Sequence, residues 1–172
     1  MDKRLGRSHP AEGVLIFRAQ PTIVFVTICS RKRRSHLANY SVHNALVDSW
    51  HTATAWLVGF YLIMPDHVHL FCAPNYEDHR IEEWVSYWKR RLRRRLRTSE
   101  ALFQAHSFHH RLRRDESYSE KWDYVRMNPV RAWLTADPDS WPYQGVLNEL
   151  PWWNKAAPQS VALPKNFANS IW

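Results

Sequence analysis

The sequence predicts an α+β fold. Three observations support this prediction: short β-branched or apolar runs alternate with amphipathic stretches, a tight turn joins two strand-like runs, and a helical stretch follows the last strand. The predicted order is strand, helix, strand, strand, helix, strand, and then one added helix. An order of βαββαβ predicts a ferredoxin-like sandwich whose helices cover one face of the sheet.

The first half of the chain contains a strand, a helix and a hairpin. Thr22 to Ile28 is β-branched and apolar, as in a buried strand. From Val42 to about Thr54, apolar residues recur at helical spacing. Ala55 to Met64 is strand-like, Pro65-Asp66 makes a tight connection, and His67 to Ala73 alternates as the second strand of a hairpin would.

The second half contains a long helix, a strand and the added helix. An apolar stripe from Ile81 to Leu96 predicts an amphipathic helix, and Leu102 to Leu112 contains the fourth strand. Ser117-x-x-Glu120 resembles a capping box that starts the added helix. That helix should stop at Pro129, because proline disfavours helical geometry in the residue before it. Beyond Ala136, repeated prolines predict an extended segment with short turns.

The composition indicates one basic, globular domain. Of 172 residues, 45% are hydrophobic and 23% are charged, and the formal charge is +8. This charge predicts a polyanionic partner, either nucleic acid or an anionic membrane surface. The sequence lacks an uncharged apolar stretch of about 18 residues and a signal segment. We therefore expect a cytoplasmic protein, which would be nucleoid-associated where its polyanionic partner is DNA.

The domain organisation follows from where charge and proline are concentrated. Residues 1–13 are expected to form a flexible arm, 14–147 the folded domain, and 148–172 an extended tail rich in proline and tryptophan. The second predicted helix has a dense basic run, for which phosphate contact is the natural explanation, although some of its side chains must only face solvent. The candidate DNA-binding residues of this run are Lys89, Arg90, Arg91, Arg93, Arg94, Arg95 and Arg97.

Two motifs contain candidate catalytic residues. His67-Val68-His69 lies on a predicted strand, where side chains two apart leave the same face and can converge on one metal ion. In Tyr124-Val125-Arg126-Met127-Asn128, the first and last residues share one face of the added helix. Each motif also has a plain structural interpretation: polar strand histidines, and a packing tyrosine with a capping asparagine.

Together the motifs form a coherent chemical set. Tyrosine is a weak nucleophile at neutral pH, since its ordinary pKa is near 10. A divalent cation that polarises a phosphate beside the phenol lowers the barrier without a strong base. Two histidines and an amide oxygen would hold such an ion and leave positions for phosphate oxygens and water.

The same residues resemble a known family. Leu62 to His69 (LIMPDHVH) is similar to the HUH motif region of the single-tyrosine transposases, and Asp123 to Ala132 (DYVRMNPVRA) is similar to the tyrosine helix of the REP-associated tyrosine transposases. The resemblance covers roughly residues 15–147. One departure concerns Trp133, which stands where members usually have glycine and so bears on the chain path after the helix.

The resemblance implies a function. His67, His69 and Asn128 would bind Mg²⁺ or Mn²⁺, and Tyr124 would attack the scissile phosphate of single-stranded DNA. The products would be a 5′-phosphotyrosine link and a free 3′-hydroxyl, formed reversibly at sites flanked by REP-like hairpins. Arg131, within the matched helix, is a further candidate DNA contact. The DNA sequence, the preferred ion, and the choice between monomer and homodimer stay open.

Three other functions would each suit part of this pattern. A histidine-triad nucleotide hydrolase would need a third histidine at position 71, which is Phe71. A membrane-surface protein is disfavoured because the apolar stripe of the basic helix is needed for the core. A non-catalytic regulator that binds single-stranded nucleic acid on the same fold remains the alternative to the enzyme.

Overall fold

One antiparallel sheet organises the part of the chain that the computed structural model describes, residues 22–76, 79–112 and 118–150. Its strands follow the order β4-β1-β3-β2-β5, and all neighbouring strands are antiparallel. The first four strands stand in the order expected of a ferredoxin-like sheet, so the predicted fold class is confirmed. The strand bounds are β1 Val24–Cys29, β2 Trp56–Ile63, β3 His67–Pro74, β4 Phe108–Arg111 and β5 Gln144–Val146.

Helices cover both faces of this sheet. Helices α1 (Tyr40–Thr52) and α2 (Ile81–Arg95) pack together on one face, where Trp50 and Trp88 meet edge to face at 5.9 Å. Helix α3 (Tyr118–Arg126) is the added helix and packs on the other face. Because both faces are covered, the central strands are apolar on both sides rather than alternating with exposed polar residues.

The face under α1 and α2 contains the larger core. It takes alternate residues of the central strands, such as Val26 on β1 and Leu70 on β3, both with 0% exposure. Helix α2 contributes the stripe that the sequence predicted, including Trp84, Trp88 and Leu92. Most of the basic side chains of α2 are exposed on the outer side of this layer.

The opposite face contains a smaller core under α3. Phe71 contacts Tyr118 edge to face at 5.0 Å, and Phe60 contacts Trp122 at 5.4 Å. Val125, at 1% exposure, completes the buried side of the helix. The apolar residues of the added helix therefore form the side that packs on the sheet. Ser117, the expected cap, lies outside the described residues.

The end of α3 differs from the prediction. The helix ends at Arg126, and after Met127 a short helix α4 (Asn128–Arg131) begins with Pro129 as its second residue. Proline is tolerated there because the first turn of a helix needs no N–H donor from it. Met127 has φ −76° and ψ −5°, so the chain stays close to helical between the two segments.

The proline-rich segment after Ala136 also differs from the prediction, because it contains a strand. β5 pairs with the edge of β2, in the register Phe60↔Val146 and Leu62↔Gln144. Gly145 is required at this position, since a Cβ would lie 2.8 Å from the Tyr61 hydroxyl oxygen. The sheet therefore has a fifth strand that periodicity could not reveal in three residues.

The start of the expected tail also packs on the domain. Asn148 donates a side-chain hydrogen bond to the Val58 carbonyl at 2.8 Å, and Leu150 packs over Gly59. The domain thus continues beyond residue 147, to at least 150. The predicted arm, 1–13, and the rest of the tail, 151–172, lie outside the described residues. Within the described ranges, none of the helices is long and apolar enough to cross a membrane.

Candidate active site

The two motif histidines lie at the beginning of β3, on the sheet face that α3 covers. β3 pairs there with the end of β1, so that His67 lies opposite Cys29 and His69 opposite Thr27. Both imidazoles are half-buried, while Val68 between them is fully buried in the core under α1 and α2. The alternation that the sequence predicted for this strand is confirmed.

Neighbouring polar groups fix both rings. The Nδ1–H of His67 donates to Asp66 Oδ1 at 2.6 Å, since a carboxylate only accepts hydrogen bonds. The Nδ1 atom of His69 lies 2.9 Å from Thr27 Oγ1, a hydroxyl that can donate or accept. As a result the two Nε2 atoms face each other, 3.1 Å apart.

The environment keeps His69 neutral. Burial is the main cause that lowers the pKa of His69 to about 3, and positive charge on His67, Lys121 and Arg131 lowers it further. Phe25 stacks on the His69 ring at 5.2 Å. The Lys121 ammonium lies 5.1 Å from the centre of the same Phe25 ring. A neutral imidazole is the form that binds metals.

This arrangement fits a divalent cation. An ion about 2.1 Å from both Nε2 atoms would have an N–metal–N angle of about 95°, close to the octahedral 90° that Mg²⁺ prefers. A tetrahedral site would need the nitrogens farther apart. Among the described residues, no cluster of three His, Cys, Asp or Glu side chains could hold a metal. The predicted third ligand, Asn128, would supply an amide oxygen instead.

Tyr124 is the accessible tyrosine of α3. Its side chain is 62% exposed, whereas the other tyrosine of this described helix, Tyr118, is packed against Phe71. Burial raises the pKa of Tyr118 to about 12, with a smaller contribution from Cys72. A buried phenol with a raised pKa is a poor nucleophile, so Tyr124 is the candidate that the geometry favours.

Arg131 joins Tyr124 to Asn128. Its guanidinium lies 4.1 Å from the centre of the Tyr124 ring and donates to the Tyr124 carbonyl at 2.6 Å. It also donates to Asn128 Oδ1. An amide oxygen has two lone pairs, so this bond leaves one for a cation. The positive charge of Arg131 also lowers the pKa of His69, and helix α3 packs on the sheet face from which His69 projects.

The basic run of α2 lies on the other side of the sheet. Helix α2 packs on the face opposite His67 and His69, so the run and the candidate site do not form one surface. Lys89 turns inward: it donates to the carbonyls of Gln104 and Ala105 at 2.8 and 3.3 Å, and burial lowers its pKa to about 8. We therefore leave Lys89 out of the candidate DNA surface.

The other basic residues of the run differ in exposure. Arg91 is half-buried beside the Tyr87 ring, and Arg95 pairs with Asp48 of α1 at 2.9 Å. The remaining exposed side chains are Arg90, Arg93, Arg94 and Arg97. For these residues DNA binding stays a prediction.

A second basic segment lies beside the histidines. The chain turns after β1 through Arg31, Lys32, Arg33 and Arg34, all exposed, and Arg33 pairs with Asp66 at 3.1 Å. This run is not among the DNA-binding residues that the sequence predicted. Its four consecutive basic residues were the available clue. Its position at the site depends on the turn, where Lys32 and Arg33 adopt φ values of 58° and 54°.

Two of the histidines before and within β4, His106 and His109, do not join this site. His109 lies 2.6 Å from Ser107 Oγ and 3.7 Å from Glu82 of α2, on the face opposite His67. His106 is exposed in the preceding loop. His109 is therefore held by polar contacts on that face.

Comparison with known proteins supports the fold. No protein-family model matches the chain, and no curated protein matches it. The chain is similar to a solved REP-associated tyrosine transposase bound to a REP hairpin, with a TM-score of 0.61 and 18% identity over 76% of this chain and 82% of that one. It is also similar to a candidate transposase from Deinococcus radiodurans R1, with a TM-score of 0.45 and 18% identity over 65% and 95%. The first similarity shows a shared fold.

Proposed function

We propose that this chain is a metal-dependent single-strand DNA endonuclease and strand transferase that uses Tyr124 as its nucleophile, and so a transposase-type enzyme. One observation carries the proposal: two fixed histidine Nε2 atoms converge at 3.1 Å on the sheet face that the tyrosine helix covers. The fold shared with a REP-associated tyrosine transposase supports it.

The reaction exchanges one phosphate ester for another. The Tyr124 hydroxyl oxygen bonds to the scissile phosphorus, and the bond from phosphorus to the 3′ oxygen breaks. The phenol gives up its proton, and the departing 3′ oxygen takes one up as a hydroxyl. The products are a 5′-phosphotyrosine and a free 3′-hydroxyl. Because one phosphodiester replaces another, a second strand's 3′-hydroxyl can reverse the step and rejoin DNA.

Each residue of the site has a defined task. His67, His69 and Asn128 would hold Mg²⁺ or Mn²⁺, which when bound withdraws electron density from the phosphate. Asp66 and Thr27 fix the imidazoles, as outer ligands do in metal sites. Arg131, at 4.1 Å from the Tyr124 ring, favours negative charge on the phenolic oxygen while the bond forms.

The charge distribution supports a DNA path across the site. Arg31, Lys32 and Arg34 flank the histidines and can contact backbone phosphates of the reacting strand. The exposed arginines of α2 lie on the opposite face and could contact only a second DNA segment. A hairpin with a single-stranded flank supplies two such segments, and the structural neighbour is bound to a REP hairpin.

A non-catalytic regulator is the second candidate, and one observation favours it. The Arg131 guanidinium bonds Asn128 Oδ1, so its positive charge lies beside a proposed ligand of a cation. A protein that only binds single-stranded nucleic acid would keep this contact at no electrostatic cost. The two candidates share the fold and the DNA surface, and they differ in covalent chemistry.

The test is covalent capture of DNA. Wild-type protein is incubated with hairpin DNA labelled on the 3′ side of the scissile site, with Mg²⁺ or Mn²⁺ and with a chelator, and denaturing gels detect protein–DNA adducts. Tyr124→Phe should abolish the adduct, because phenylalanine lacks the nucleophilic oxygen, while binding stays within about twofold. Tyr87→Phe is the matched control, since Tyr87 is exposed on α2 at the opposite face.

The outcomes separate the two candidates. A metal-dependent adduct in wild type and Tyr87→Phe, but not in Tyr124→Phe, supports the enzyme. Hairpin binding without an adduct, across several hairpins and both ions, supports the regulator. An adduct that persists in Tyr124→Phe would place the nucleophile elsewhere.

A further inference from the structure

Trp133 occupies a backbone position that normally belongs to glycine. It follows α4 with φ 58°, in the left-handed region. Its N–H donates to the Val130 carbonyl at 3.0 Å, and the next N–H, of Leu134, donates to the Pro129 carbonyl at 2.9 Å. These two bonds define a Schellman motif, in which the left-handed residue is usually glycine because a side chain there is sterically strained. The chain path after the helix is thus the one that glycine would take.

The Trp133 side chain makes no buried contact that would offset this backbone strain. Trp133 is 94% exposed, more than any other large hydrophobic residue in the described part of the chain. A large aromatic side chain normally stabilises a protein through the area that it buries. Here the backbone is strained and the indole is unburied, so folding stability does not explain a tryptophan at this position.

The surroundings of Trp133 point to its ligand. Two residues earlier, Arg131 contacts the ring and carbonyl of Tyr124, and two residues span at most about 7 Å. The Tyr124 ring is itself 62% exposed, and the chain has a formal charge of +8. An exposed aromatic face beside an arginine is the combination that binds an unpaired base and its phosphate.

We propose that Trp133 is a stacking platform for an unpaired nucleobase of the strand that reaches Tyr124. The indole stacks on the base, and Arg131 lies close enough to contact the adjoining phosphate. A base paired within a duplex presents no free face, so the platform selects single-stranded DNA at the cleavage position. This inference rests on the proposed function for its ligand, single-stranded DNA.

Stability and binding are expected to respond differently to Trp133→Gly. Glycine relieves the left-handed strain and removes no buried contact, so Tm should stay within about 2 °C of wild type or rise. Affinity for a fluorescein-labelled single-stranded oligonucleotide should fall about 5- to 150-fold, the usual effect of losing one base stack. Trp133→Phe keeps a smaller aromatic face and should give an intermediate affinity.

The measurements are anisotropy titrations with a single strand and with its duplex, together with thermal unfolding. Loss of single-strand affinity with unchanged duplex affinity and unchanged or higher Tm supports the platform. An equal loss for both DNAs would mean a phosphate contact and would overturn it. A Tm drop above about 5 °C would show that the indole supports the fold, and would overturn it too.

The adduct assay distinguishes the failure of this inference from that of the proposed function. If Trp133→Gly binds single strands as wild type does while the Tyr124-dependent adduct still forms, the platform is refuted and the nuclease stands. If the wild type binds no single-stranded DNA and forms no adduct, both fail. If Trp133 instead bound a second protein chain, the wild type would sediment as an oligomer. The Trp133→Gly variant would then dissociate with no change in DNA affinity, and this result would also overturn the platform.

Discussion

Thr27→Val should weaken the candidate metal site without altering the fold. Thr27 Oγ1 lies 2.9 Å from His69 Nδ1, and this contact orients the imidazole so that Nε2 faces His67 Nε2. Valine has nearly the same shape and suits a strand equally well. The substitution therefore removes one hydroxyl and leaves the packing of β1 intact.

The hydroxyl matters because it suits both tautomers of His69. Without an ion, His69 Nε2 can donate to His67 Nε2, and Nδ1 then accepts from Thr27. With an ion, the lone pair of Nε2 is needed for the metal, and Nδ1–H then donates to Thr27. Losing such an outer partner usually costs about 10- to 100-fold in metal affinity, or about 1.4–2.8 kcal/mol.

The assay is a Mn²⁺ titration of the metal-free protein, with the free ion measured by electron paramagnetic resonance. Thr27→Ser keeps a hydroxyl and should bind Mn²⁺ within about threefold of wild type, and circular dichroism checks the fold of both variants. Equal Mn²⁺ affinity of Thr27→Val and wild type would refute this reasoning. An absence of Mn²⁺ binding in wild type would refute the metal site itself.

Two further predictions concern pH and salt. Burial lowers the pKa of His43 below its ordinary 6.5, so below that pH the unfolded chain takes up a proton that the folded chain resists. Stability should therefore fall as the pH decreases from 7 to 5, and His43→Gln should show a smaller decrease in Tm; parallel curves would exclude His43 as a cause. For DNA without a hairpin, Arg31→Gln/Lys32→Gln should reduce the slope of log affinity against log salt by about 1.4, since each phosphate contact contributes about 0.7. Arg93→Gln/Arg94→Gln should change that slope only for hairpin DNA. If this pair, rather than Arg31→Gln/Lys32→Gln, changed the slope for DNA without a hairpin, the reacting strand would lie on α2.

Much of the fold could be predicted because its periodicities are long and strong. The β-branched run of β1, the alternation around His67-Val68-His69 and the apolar stripe of α2 each define a buried side. Hydrophobic burial decides which side of an element faces the core. The apolar pattern that marks this side lies within a short stretch of the sequence. β5 could not be found this way, because three residues cannot show a period and their pairing depends on the free edge of β2.

The candidate site likewise has features that the sequence alone predicts and features that depend on the tertiary structure. The sequence alone determined that His67 and His69 share a strand face, because alternation on a strand is a property of neighbouring residues. It also predicted that Tyr124 and Asn128 lie on one side of a helical segment. Both inferences need only local geometry.

Only the tertiary structure decided what surrounds these residues. Thr27 reaches His69 from a strand 42 residues away, through a register that the whole sheet fixes. The same sheet separates the basic run of α2 from the histidines, although a charge pattern looks alike on either face. Lys89 is turned inward by carbonyls of the loop before β4. Local periodicity specifies which residues are buried, but sheet register and helix side bring distant residues together, and these depend on packing across the whole domain.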